Sequence, residues 1–95
     1  MEDERVMIIF YYDKPGSTEE PKRICSFRTY HFAEWLKLFT YAKKHEIDFW
    51  PRTDDEGIPD DILEQINGIG GYVKDVSVSF GSDMVIQCIE VILGV

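Results

Sequence analysis

Between Tyr30 and His45 the chain carries a stripe that only a broad apolar surface can cover. At about 100° per residue, Phe32, Trp35, Leu36, Leu38, Phe39 and Ala42 fall on one arc roughly 160° wide. Glu34, Lys37, Tyr41 and Lys44 occupy the other side. Thr29 stands where an N-cap is expected, because its hydroxyl can accept from a first-turn N–H. Lys43 and Lys44 suit the negative end of the helix dipole. Three large rings on one helix face demand a flat partner, which the flanking sequence must supply as a sheet. A nucleobase-stacking face would need a basic surround, and the stripe has none.

The flanks read as strands. Val6–Tyr12 (VMIIFYY) is β-branched and aromatic, with apolar side chains on both faces, as in a central strand. Asp13–Pro21 is a turn-rich loop punctuated by Pro and Gly. Lys22–Arg28 alternates, with Ile24, Ser26 and Arg28 on one face and Cys25 and Phe27 on the other. These two strands pair as an antiparallel hairpin. Ile47–Trp50 is a short apolar piece stopped by Pro51, an edge strand or a connector. Pro59-Asp60-Asp61 opens a second, short helix, since Pro at the first helical position and acids in the first turn suit a helix start. Its Ile62, Leu63 and Ile66 face the core, and Asn67-Gly68 ends it. Tyr72–Phe80 alternates again, with Val76, Val78 and Phe80 inward and Asp75, Ser77 and Ser79 outward. After a Gly81-Ser82-Asp83 turn, Met84–Leu93 returns apolar on both faces, which makes it central or covered by a partner.

The expected architecture is a two-layer α+β sandwich. A mainly antiparallel sheet of four or five strands carries one long and one short helix on one face. Ninety-five residues make one compact domain, 1–95. No apolar run approaches the roughly 20 residues of a membrane-spanning helix, and the acidic start is unlike a secretory leader. The expected location is the cytoplasm. Cys25 and Cys88 fit a reduced compartment as buried strand thiols.

The net charge of -8 is unevenly placed. Residues 1–46 hold eight acids and eight bases, whereas residues 47–95 hold ten acids against Arg52 and Lys74 alone. The densest part is Ile47–Glu64, with five acids between Asp54 and Asp61. Such a field repels nucleic acid and attracts basic surfaces. Direct nucleic-acid binding is therefore disfavoured, while binding to a nucleic-acid-binding protein is not.

Few residues suggest catalysis. Asp54, Asp55, Glu56, Asp60 and Asp61 offer hard oxygen ligands, but their spacing departs from the alternating pattern of an EF-hand loop. His31 and His45 lie about 21 Å apart along one helix and cannot share a metal ion. Nothing marks Cys25 as an activated nucleophile. Gly68-Ile69-Gly70-Gly71 follows a helix and precedes a strand, the reverse of a phosphate cradle. No cofactor, metal or enzymatic activity is expected.

The surface remains. Asp60, Asp61 and Glu64 share a helix face, and Asp54, Asp55 and Glu56 lie on the loop that feeds it. Phe49 and Trp50 supply an aromatic anchor beside this charged rim, the make-up of a binding hot spot. The expected function is a small acidic, non-enzymatic protein-binding protein. In its sharp form it is an inhibitor that presents carboxylates where phosphates would sit, as small antidefence proteins of phages and mobile elements do; the analogy is one of size and charge. The alternatives are a self-associating subunit, with a homodimer through Met84–Leu93, and a divalent-metal enzyme built on the acidic cluster.

Overall fold

The computed structural model describes residues 5–14, 16, 18–48, 60–67, 69 and 72–94. Four strands and two helices follow in the order β1 (Val6–Tyr12), β2 (Lys22–Thr29), α1 (Phe32–His45), α2 (Asp60–Asn67), β3 (Val73–Phe80) and β4 (Ile86–Leu93). The strands form one sheet in the order β2-β1-β4-β3. Each hairpin is antiparallel, as alternation and turn residues predict. The hairpins meet along β1 and β4, and those two run parallel, with Ile8 opposite Ile89 and Phe10 opposite Val91. The sheet is therefore mixed, which corrects the expectation of a mainly antiparallel one. Both strands carry apolar residues on both faces, and both go to the middle of the sheet, flanked by a strand on either side. Their relative direction is set by the path through the helices, which no local pattern encodes.

One face of the sheet is the core. Val6, Ile8 and Phe10 of β1, Cys25 and Phe27 of β2, and Ile89, Val91 and Leu93 of β4 point into it, and Val73 joins them from β3. Trp35, Phe39 and Ala42 close it from α1, and Ile62 and Ile66 from α2. The rings interlock. Phe39 meets Phe10 edge-on at 5.7 Å and lies along Trp35 at 5.6 Å, and Trp35 meets Phe27 edge-on at 6.0 Å. Each such pair adds about 0.5–1.5 kcal/mol beyond burial of its area. Phe32, Leu36 and Leu38 flank the stripe as half-buried contacts, so the whole expected arc of the helix is used.

The ends of α1 differ from expectation. Thr29 is the last residue of β2 and is buried; its Oγ1 accepts from the His31 N–H at 2.9 Å. The hydroxyl thus holds the turn between strand and helix, and His31 takes the N-cap position without a side-chain cap. This corrects the reading of Thr29 as N-cap: a β-branched residue with a local backbone acceptor role serves a strand end equally well. At the other end Glu46 adopts the left-handed conformation, φ 54° and ψ 45°. Its N–H donates to the Lys43 carbonyl at 3.3 Å, and the Ile47 N–H to the Ala42 carbonyl at 3.1 Å. That pair of bonds is a Schellman closure, and Ile47 packs back on the core as the motif requires. The helix stop is thus made by the backbone of Glu46, and His45 is simply exposed in the last turn, its ring 4.2 Å from that of Tyr41.

Smaller corrections fall at the sheet margins. Phe80, expected inward, is 57 % exposed. The β3–β4 register shifts between Ser79 and Phe80, and this irregularity at the end of an edge strand takes the ring off the core face. Met84 and Val85, expected in the last strand, belong to the turn. The Gly81 carbonyl accepts from the Met84 N–H and the Gly81 N–H donates to the Val85 carbonyl, with Met84 left-handed at φ 65°. Of the doubtful strand Ile47–Trp50, Asp48 makes a single antiparallel bridge to Tyr72, while Phe49 and Trp50 lie outside the described residues. No helix among the described residues is long and apolar enough to cross a membrane.

Candidate protein-binding surface

The short helix α2 is the part of the acidic segment that the structure describes. Ile62 and Ile66, four residues apart, are 4 % and 0 % exposed. They fix one side of α2 to the core, next to β2. Asp61, Glu64 and Gln65 are exposed on the remaining sides. The same periodicity that buries the isoleucines therefore sends the acids outward. Asp60 opens the helix. Phe49, Trp50, Asp54, Asp55 and Glu56 lie outside the described residues, so of the eight expected contact residues the structure places Asp61 and Glu64 together on an exposed surface.

The charge of Asp61 reaches Cys25 on β2. The Cys25 thiol is pushed up to about 11, first by burial, then by the negative charge of Asp61, against a smaller lowering by Arg23. A thiol held this far above its ordinary value stays protonated at neutral pH and is a poor nucleophile. Cys88 is likewise raised, by burial and then by Glu90. The two thiols are free and lie on opposite faces of the sheet, on strands separated by β1. Among the described residues no group of three or more His, Cys, Asp or Glu side chains is arranged to hold a metal ion.

Two further features lie outside the acidic segment. An open recess of about 550 Å³ lies beside the β1–β2 loop, lined by Tyr12, Lys14, Gly16, Glu19, Glu20, Lys22 and Ile24. Its lining mixes two cations with two acids, so it favours no one ligand charge. The second feature is the sheet face opposite the helices. There burial, and then the nearby Glu90 carboxylate, raise the Tyr11 pKa. The double-sided apolar pattern of the last strand was the available signal for this face.

Fold and surface together define a small α+β domain with an acid-faced helix anchored beside an edge strand. No family model, curated protein or solved structure matches the chain.

Proposed function

We propose that this chain is a small acidic protein-binding domain that docks its acidic segment onto a basic surface of another protein. One observation carries the reading: the whole net charge of -8 belongs to residues 47–95. The described part of the segment adds a physical reason. Ile62 and Ile66 hold α2 rigidly, so Asp61 and Glu64 are offered from a fixed element rather than a loose chain. Charges on a fixed frame speed encounter with a complementary surface and set its orientation. Phe49 and Trp50 would supply the apolar anchor that carbonyl and carboxylate groups lack.

In its sharp form the partner is a nucleic-acid-binding protein and the chain is its inhibitor, with Asp54, Asp55, Glu56, Asp60, Asp61 and Glu64 standing in for phosphates. Like charges this close on a helix cost a few tenths of a kcal/mol per pair, a cost that binding to cations removes. The test is capture of the partner from the native host or target cell by wild type and by an Asp54/Asp55/Asp60/Asp61→Asn variant of unchanged circular dichroism. Loss of capture in the variant, and competition by duplex DNA, are the expected results. Equal capture by both proteins would end the proposal.

Self-association is the second reading, favoured by the apolar β4. That strand is central, with β1 on one side and β3 on the other. Its backbone edges are thus occupied, which leaves its outward face for a partner.

A further inference from the structure

The two-layer arrangement leaves the sheet face opposite the helices with an ordered pattern of its own. Met7, Ile9 and Tyr11 alternate with the core residues of β1, and Cys88, Glu90 and Ile92 with those of β4; all six are half-buried. The pairing aligns them in rows across the sheet. Arg23, Tyr11, Ile92 and Asp75 form one row; Ser26, Ile9, Glu90 and Ser77 the next; Arg28, Met7, Cys88 and Ser79 the third. The result is an apolar strip over the two central strands. The cations Arg23 and Arg28 lie along β2, and the acid Glu90 on β4. Arg23 donates from Nη2 to Ser26 Oγ at 2.8 Å, so its guanidinium sits in the row of Glu90. Asp75 is engaged by Lys43 at 2.8 Å from α1.

We infer that this face binds a second copy of the chain, the two sheets stacked about a two-fold axis that runs along the strands between them. A two-fold that exchanges stacked layers must lie in the plane between them, along the strands or across them. An axis across the strands lays each strand on its own counterpart. With that axis at the Glu90 row, the β2 cations Arg23 and Arg28 face those of the second copy and Glu90 faces itself, so like charges oppose. An axis along the strands lays β2 on β3 of the second copy and β1 on β4. Each row then faces itself reversed. The guanidinium of Arg23 stands above the Ser77 end of that row, about one strand spacing, ~4.8 Å, from Glu90 of the second copy. An arginine side chain covers that offset within the ~10 Å separation of packed sheets. Two reciprocal Arg23–Glu90 pairs form, and Met7, Ile9, Cys88 and Ile92 interleave between them. The lateral separation of cations from acids is what makes the face complementary to itself in one orientation and repulsive in the other.

The size of the face sets the strength. Four strands of seven or eight residues give a flat footprint of about 450–500 Å² per copy at ~3.3 Å rise and ~4.8 Å spacing. That is the small end of specific interfaces, so the dimer is a weak one, in the micromolar range. The inference rests on the self-association reading and not on what the acidic segment binds, and its test contains no other partner.

The experiment is sedimentation equilibrium of the full chain over a concentration series reaching about 1 mM, a range that covers micromolar dissociation constants. Wild type is expected to move from monomer to dimer. Arg23→Glu and Glu90→Arg each weaken the dimer at least tenfold, and the double variant Arg23→Glu/Glu90→Arg recovers most of the loss. Ser77→Lys, an exposed change on edge strand β3, places a cation beneath Arg23 of the second copy and weakens the dimer without touching either pair. Circular dichroism confirms that each variant is folded, and Ser77→Lys decides the matter if a charge-reversed variant is not. A wild-type monomer at the top concentration, a dimer indifferent to Arg23→Glu and Ser77→Lys, or a double variant no better than its singles would each overturn the inference.

Discussion

Glu46 holds a conformation that suits glycine, and replacing it with glycine is expected to stabilise the protein. Its φ of 54° and ψ of 45° lie in the left-handed region, where an L side chain costs roughly 1–2 kcal/mol through the clash of Cβ with the backbone. Glycine removes that cost but has more freedom to lose on folding, a penalty of about 0.4–1 kcal/mol. The substitution also removes an acid from the negative end of the α1 dipole, worth about 0.3–1 kcal/mol when exposed. The net gain is about 1 kcal/mol, or roughly 4–8 °C in Tm for a domain of this size. The closing bonds from the Glu46 and Ile47 N–H groups are backbone only, so they survive the change. The assay is paired thermal and urea unfolding followed by circular dichroism, with Glu46→Gln as control for charge. Glu46→Gln should recover only the charge contribution, about 0.3–1 kcal/mol. A Glu46→Gly protein that melts below wild type, as a mid-helix glycine would, refutes the Schellman closure. One that merely equals Glu46→Gln refutes the backbone argument.

Three further outcomes follow from the core and the turns. Phe39→Ala removes a fully buried ring that touches both Phe10 and Trp35, so it should cost about 3–5 kcal/mol in urea unfolding; a loss near 1 kcal/mol would mean that α1 is not seated on β1. Met84→Gly relieves the left-handed residue of the β3–β4 turn and should raise Tm by a few degrees, whereas a lower Tm would contradict the turn geometry. Cys25 is raised to about 11 in the folded chain from an ordinary 9.0. The unfolded thiol therefore ionises first, so its contribution to stability is whole below pH 9 and is lost as pH rises towards 11. Cys25→Ala should flatten that alkaline limb of the stability profile relative to wild type; parallel limbs would show that Cys25 is not buried.

How much of this was readable from sequence varies with the range of the interaction. The α1 stripe and β1 were legible because 3.6-residue and two-residue periods are local, and the core face of β2 followed from alternation, whereas β4, apolar on both faces, did not reveal which of them is core. The parallel join of β1 and β4 was not, because its partners are about 80 residues apart in the chain and neither strand carries a mark of direction. Glu46 and Met84 were invisible for another reason. Both occupy left-handed positions usually marked by Gly or Asn, and the chain uses neither. Phe80 looked inward by alternation, but a register shift at a sheet edge cancels the alternation there. At the candidate surface, the outward direction of Asp61 and Glu64 was legible from the spacing of Ile62 and Ile66. The charge layout of the open sheet face was not, since it arises only when four strands are laid side by side.

The proposed function turns on one quantity, the salt dependence of affinity for the captured partner, in wild type and in the Asp54/Asp55/Asp60/Asp61→Asn variant. Acid-to-base contacts are screened as the Debye length shortens from about 10 Å at 0.1 M to about 3 Å at 1 M salt. Wild-type affinity is predicted to fall steeply across that range, and the variant to bind more weakly with a flatter response. Equal affinities for the two proteins, unchanged by salt, would contradict the acidic segment as the binding surface.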